Sequence, residues 1–543
     1  MSRPALATLA RTLWYWRPEQ WRAAARRRLL PGDLRRYAAA ATPHLAAPAS
    51  AVPWLPTPRA LVRAPVGESA GGDPALQRRF AWSDRGSGRL ALDRLHAFAW
   101  LRAPGLAAEA RLHALVDWIS FHSEGVGWEP APTSRRILAW LKCLTTPGAL
   151  PPATTTHGRV LPSLADQLTH LEHHLEIERG SERLLWNLLA LTTAATLLEG
   201  EGVERWREFA PRLARELERQ VGPDGAHESR CPMIHAELLE AVLDLLNAMR
   251  SVAAPQSPQL AAKAGAMLGA HAVWTHPDGE IALLGDSALG VAHPLARLTQ
   301  YAEALGVKAE GPAAPGVLEA ARVVRLERDP FVVIFSAAPP APAWQPVHAH
   351  CDALSFELSL GGERLVTDTG VFDFGEGPWR DRARATRSHA TVVVNEAEQA
   401  ELWGADRVGG RPDAGLVHAD PGVRVEGVCA GWSTPEVLHR RLLTFEAGAL
   451  RIEDRFDRPA DRAQLVLPLA PGTEVRLEGT TAAVATRSGR RLRIALPEAA
   501  RWRAERSPCF IELGSEAERT VLVGEAKKLT EADWSFRAEE RNG

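Results

Sequence analysis

Apolar residues in this chain recur with a helical period from about Leu90 to Tyr301 and with a period of two from about Ala321, and no single structural layer satisfies both. In RLLWNLLALTTAATLLEG the apolar positions run almost all round from Leu184 to Leu198 and Gly200 closes the run, as in a helix buried among other helices. The stretch HAELLEAVLDLLNAM repeats the pattern. ARLHALVDWISFH and SRRILAWLKCL flank the loop SEGVGWEPAPT, where Pro132 and Thr133-Ser134 are placed to start the second helix. Past the GPAAPG stretch the segments ARVVRLERDPFVVIFSA, LSFELSLGGERLVTDTG, SHATVVVNE, RLLTFEAGALRIEDRFD and RLRIALPE alternate, with glycine turns between them. Helices first and strands afterwards predict two segregated domains, the second a β-sandwich. The expected division is an irregular helical preface over 1–85, a helical domain over 86–311 and a sandwich over 312–543.

With 543 residues, 45% of them hydrophobic, the chain can bury ordinary cores in more than one domain. Its net charge of −2 gives no general attraction to nucleic acid or anionic membrane, so binding of a polyanion would need a local basic patch. Five cysteines without CxxC spacing read as free thiols. The opening segment MSRPALATLARTLWYWRPEQWRAAARRRLLPG has no uninterrupted apolar core: Arg11, Arg17 and Glu19 break it, so neither a signal peptide nor a membrane span is expected. It reads as a basic amphipathic helix packed on its own domain, with a membrane anchor as the alternative.

The densest polar constellation runs from Val347 to Asn395. His348 and His350 are two apart, so an extended segment projects both to one side. His350, Asp368 and His389 have the residue types of a His₂Asp zinc-type site with one open position. If Gly361-Gly362-Glu363 is a three-residue hairpin loop, a straight strand separates His350 from Asp368 by roughly 20 Å at about 3.3 Å per residue. The metal site therefore requires HAHCD to curl back, and histidines paired with carboxylates at a sandwich rim are the other reading. Trp379, Arg380, Arg382, Arg384 and Arg387 put four cations and an indole into nine residues. Arginine pairs bidentately with carboxylate or sulfate and tryptophan offers a flat face to a pyranose, so this group suits an acidic sugar; a salt-bridged surface loop is the alternative. His227, Glu228, Arg230 and His235 cluster at a helix entrance, as a site or as an ordinary capping loop.

Several of these stretches resemble the bacterial heparinase II/III-like proteins, over most of the chain from about Phe80 to Asn395. EGVGWEPAPTSRRILAWLK is similar to the segment around that family's GWxPYP motif, GSERLLWNLLAL to GGNHLLENxxAL, and DGAHESRCPMIH to DGGHFERSPMYH. HAHCDALSFELSLGGERLVTDTG and TRSHATVVVN resemble HGHADALSFEL…LLVDPG and TRAHNTVVV. The resemblance implies an α+β multidomain fold, an N-terminal (α/α) toroid followed by a C-terminal antiparallel β-sandwich, with a sugar cleft between them. It further implies cleavage of uronic-acid glycans by β-elimination, an acidic polysaccharide as partner, a link to exopolysaccharide production, and no organic cofactor. His348 takes the catalytic position and His350, Asp368 and His389 the ligand positions for zinc or another divalent ion. Export to the periplasm is the family's usual fate, with cytoplasmic residence the alternative for a chain showing no cleavable leader.

The helical half departs from the family pattern. Ile234 stands where the family has its catalytic tyrosine, Glu182-Arg183 where it has Asn-His, and Trp186 where it often has Glu. A lyase built this way has His348 share the acid and base work with His235 or His227, while Arg183 neutralises the substrate carboxylate. Arg183, His227, Arg230, Trp379, Arg380 and Arg387 are the expected substrate contacts. A glycan-binding or scaffolding protein without turnover is the alternative.

Overall fold

A computed structural model describes residues 5–29, then 37, 39, 41–47, 49–62 and 82, and the chain from 88 onward except 123–124, 152, 178–180, 447 and 540–543. Much of the expected preface, together with Ser123, Glu124 and Gly180 of the motifs above, lies outside the described residues. Helices dominate up to Ala304, and the strands of the second half begin at Gly316. No helix among the described residues is long and apolar enough to cross a membrane.

The apolar segments of the first half become the helices Ala108–Phe121, Pro130–Leu144, Ser181–Leu197 and Pro232–Ser251. Proline opens two of them, where its missing N–H is no loss. Ser181–Leu197 is buried nearly all round, and Trp118, Trp140, Leu188 and Leu239 share one core with it. The GVGW turn is fixed from within. Arg136, fully buried, donates to the carbonyls of Gly127 (2.7 Å) and His96 (3.1 Å) and to Gln167 Oε1 (2.8 Å), with its guanidinium 3.9 Å from the Trp118 ring centre. A Cβ at Gly127 would come within 2.5 Å of His122 and 2.6 Å of His96, so only glycine fits between these two buried rings.

The second half is an antiparallel sandwich. One sheet takes Gly316–Leu318, Val323–Arg328, Phe331–Ser336, Ser355–Leu360 and Glu363–Val366 in chain order. The other has ten strands, with the long pair Ala449–Pro468 and Ala517–Ala538 at its centre. Phe335, Phe356 and Leu358 of the first sheet and Ile452, Leu465 and Phe536 of the second fill the space between them. The hairpin after Leu360 has two loop residues rather than three. Leu360 pairs with Glu363, and Gly361 and Gly362 both take positive φ (55° and 91°), as a tight primed turn demands.

A charged hub is buried inside this apolar layer. Asp454 accepts hydrogen bonds from His439 Nε2 (2.7 Å), Arg441 Nε (2.7 Å) and Trp534 Nε1 (3.0 Å), and Arg441 also donates to the carbonyls of Leu354 and Ala390. One carboxylate thereby ties three strands of the large sheet to the loops that lead into the site. The five cysteines are free and buried.

Candidate functional site

The HAHCD segment is not a strand. Residues 337–354 form turns, and the strand starts only at Ser355, so the chain does curl back and carries both histidines to the helical half. They meet one carboxylate there. Asp286 Oδ2 accepts from His348 Nδ1 and Oδ1 from His350 Nε2, each at 2.9 Å, and Arg380 clamps both oxygens from the opposite side. The preceding Gly285 makes this approach possible: with φ 56°, a Cβ on it would lie 2.7 Å from the His348 carbonyl oxygen. Burial alone would raise the Asp286 carboxyl, but Arg380 and then the two imidazoles hold it well below the usual range.

His348 is also faced by Glu182, from the first turn of Ser181–Leu197. Its Nε2 lies 3.2 Å from Glu182 Oε1 without hydrogen-bond geometry, so the contact is electrostatic and Nε2 has no hydrogen-bonded partner among the described residues. Burial works against the charge on this imidazole. The carboxylates of Glu182 and Asp286 outweigh burial and raise it to about 9, so His348 is a cation at neutral pH. Burial likewise opposes the charge on Glu182; the cations of His348 and Arg183 lower its carboxyl to about 2. Arg183 is about one-third exposed, its Nε 3.8 Å from Glu182 and its Nη1 3.4 Å from Glu176. The exposed Phe374 stands edge-on to His348, ring centres 6.4 Å apart. Glu182, Arg183, His348 and Phe374 therefore form a small polar patch with one flat apolar face.

Behind this patch, one possible ligand atom from each of His350, Asp368 and His389 falls within 4.8 Å of the others, all three residues buried. Hydrogen bonding fixes the tautomers. His350 gives its Nε2 proton to Asp286, and His389 gives its Nδ1 proton to Asp368 at 2.8 Å. That leaves His350 Nδ1 and His389 Nε2 as buried nitrogens without a hydrogen-bond partner among the described residues. Two unpaired imine nitrogens, each backed by a carboxylate, are a donor set that fits a zinc-type divalent ion.

Other expected contacts sit elsewhere. His235 is fully buried: its Nε2 bonds the Met267 carbonyl (2.8 Å), its Nδ1 accepts from the His227 backbone, and burial lowers it to about 4. His227 spends its nitrogens on Ser229 (2.8 Å) and Gln220 (3.2 Å), and burial lowers it to about 3. Neither is a proton donor at neutrality, which corrects the role expected of them. Arg230 caps the carbonyls of Pro339 and Ala320 rather than facing a ligand. The short helix Pro378–Arg384 was not apparent in the sequence, and it explains the cation cluster: Arg380 and Arg384, four apart, turn to one side and are buried. Arg380 is thus a positioning residue, its remaining donors on the carbonyls of Ala405 and Val347. Trp379 is half-buried against Phe510 and Phe372, and Arg387 is exposed. No tyrosine replaces the one expected at Ile234. Tyr301 is buried on Asp244 and Asn247, Tyr37 stacks on His173, and Tyr15 lies under Arg411.

Asp286 went unnoticed in the sequence. Its only local signal is the GDS turn closing the apolar run IALL, in a segment whose nearest ionisable neighbours are Glu280 and His293, six and seven positions away. Glu182 was legible as a departure from a motif but not as the counter-ion of His348.

Residues 311–538 match the family model "Heparinase II/III-like, C-terminal". Among solved structures, a heparinase III superposes with a TM-score of 0.66 at 17% identity, over 88% of this chain and 80% of its own. The heparan sulfate lyase HepC of Pedobacter heparinus gives 0.55 at 17% identity, over 99% and 89%. FtsZ-localized protein C of Caulobacter vibrioides is 25% identical over 476 residues, 82% of this chain and 78% of that protein. Residues 311–538 thus carry a heparinase II/III-like C-terminal domain, and from the helical half to the sandwich the chain has the fold of heparinase III.

Proposed function

We propose that this protein is a polysaccharide lyase that takes a uronic-acid glycan at the His348 patch and breaks it by β-elimination, with a role in exopolysaccharide production. The carrying observation is His348 itself: a cation held by two carboxylates, its buried Nε2 without a hydrogen bond among the described residues and its side chain 12% exposed. Arg183 faces the substrate carboxylate and makes the neighbouring C5 proton acidic. Glu182 takes that proton, the C–H electron pair becomes the C4=C5 double bond, and the C4–O4 bond breaks. The leaving oxygen takes the proton from His348 Nε2, and the proton on Glu182 returns to His348 across their 3.2 Å contact. The purified protein is expected to release unsaturated uronates, read by their ultraviolet absorbance, from a member of a panel of acidic polysaccharides. His348→Ala is expected to cut that rate by about 10²-fold or more with the fold retained; an unchanged rate removes His348 from the chemistry.

Glu182 also favours a second reading. A carboxylate lowered to about 2 is a weak base, and its charge opposes that of an anionic sugar. On this reading the protein binds glycan without turnover and acts as a scaffold, a role compatible with a relative named for its localisation with FtsZ. Binding of an acidic polysaccharide with no rise in absorbance would select it.

A zinc or similar divalent ion on His350, Asp368 and His389 belongs to the same proposal; it would fix the HAHCD turn and add positive charge behind His348. Elemental analysis is expected to find about one ion per chain, and His389→Ala to abolish it and lower the melting temperature. Metal-free protein with an unchanged melting temperature would exclude the ion. Periplasmic residence is the compartment that goes with this function, and cell fractionation tests it.

A further inference from the structure

The two helices that begin the described chain, Leu6–Trp14 and Pro18–Leu29, pack on the sandwich side, the first with Thr8 and Thr12 inward and the second through Gln20. Thr8 and Thr12 are buried; Arg11 Nε reaches Glu401 at 2.8 Å, Trp403 Nε1 donates to Thr12 Oγ1 at 3.0 Å, and Gln20 lies on Gln345. The apolar side faces out. Leu6 and Trp14 are each 85% exposed, and with Ala10 between them they follow the four-residue spacing of one helix face. Trp21, 48% exposed, continues this surface on the second helix, edge-on to Trp16 at 5.3 Å. This is the reverse of a helix whose apolar stripe completes its own core.

Charge is segregated in the same place. Residues 6–29 hold six arginines and one glutamate in a chain whose net charge is −2. Arg22, Arg26 and Arg28 are exposed and have no ion-pair partner among the described residues. Large apolar side chains rimmed by unpaired arginines fit the boundary of an anionic bilayer, where tryptophan and leucine sit at the acyl edge and guanidinium groups meet lipid phosphate. A protein partner with an acidic rim would satisfy the charges but does not call for two tryptophans and a leucine projecting without a shaped pocket around them.

We propose that the Leu6–Trp14 and Pro18–Leu29 helices dock this protein on the surface of an anionic lipid bilayer, independently of what its cleft binds. The test is sedimentation of the full chain with phosphatidylcholine vesicles, with and without phosphatidylglycerol. Binding is expected only where the anionic lipid is present and is expected to weaken as salt rises. Changing Arg22, Arg26 and Arg28 together to glutamine is expected to weaken it about a hundredfold. The pair Leu6→Glu and Trp14→Glu is expected to abolish it, with an unchanged melting temperature because both side chains stand in solvent, and Trp14→Phe to retain it. Binding that persists in the Leu6→Glu, Trp14→Glu protein overturns the proposal. So does absence of vesicle binding, including the case where the wild type instead dimerises in sedimentation velocity and the same pair of changes breaks the dimer.

Discussion

Asp286→Ala is expected to lower the unfolding free energy by about 3–5 kcal/mol, the range for removing one partner from a buried charge cluster. The carboxylate is buried, and its loss strands the equally buried Arg380 guanidinium together with the cation on His348. Deleting both charges should be milder than deleting one, because the cost lies in the unpaired ion. The double change Asp286→Ala with Arg380→Met is therefore expected to recover more than about 1 kcal/mol over the single. Urea denaturation of the four proteins gives the cycle. A single-variant loss below about 1 kcal/mol would mean that water or a neighbouring group already compensates Arg380, and that Asp286 does not organise the site.

Asp454→Ala is expected to cost a similar amount, about 3–5 kcal/mol, for the same physical reason in a different place. Arg441 would keep only the carbonyls of Leu354 and Ala390, and His439 Nε2 and Trp534 Nε1 would lose the carboxylate they donate to inside the sandwich. The group also carries a pH signature. Burial would raise its carboxyl, but Arg441 foremost and then His439 hold it lowered in the folded protein. A lowered folded value means that the stability it contributes is fully present above the unfolded carboxyl pKa of about 3.9 and is lost as pH falls from there through the folded value. The wild-type protein should thus lose urea resistance below about pH 4, and Asp454→Asn should show less of that loss. Parallel pH profiles for the two proteins would exclude the assignment.

The architecture was legible because it rests on local periodicity. Helices such as Ser181–Leu197 and strands such as Phe331–Ser336 announce themselves by which neighbours are apolar. The switch of period lies where the helices give way to strands. The site was legible only in its residue types. His348, His350, Asp368 and His389 do come together, but Asp286 reaches the histidines from 62 and 64 positions away, and nothing in its own surroundings declares it. The arginine cluster misled because composition carries no direction: one turn of helix from Pro378 sends Arg380 and Arg384 inward, where they hold carbonyls. His227 and His235 misled for the opposite reason. They lie where expected, at a helix entrance, but burial keeps both neutral.

Asp286 comes from the helical half, whereas His348, His350 and Arg380 come from the sandwich; Glu182 reaches His348 across the same seam, and His276 reaches Glu357 at 2.8 Å. The halves are thus latched by buried ion pairs and by hydrogen bonds from imidazole to carboxylate, all kept dry. Opening them like a jaw would expose or strand several ions at once, so the two halves are held at a fixed separation. Neither half, cut free near residue 311, would keep its own inner charges matched.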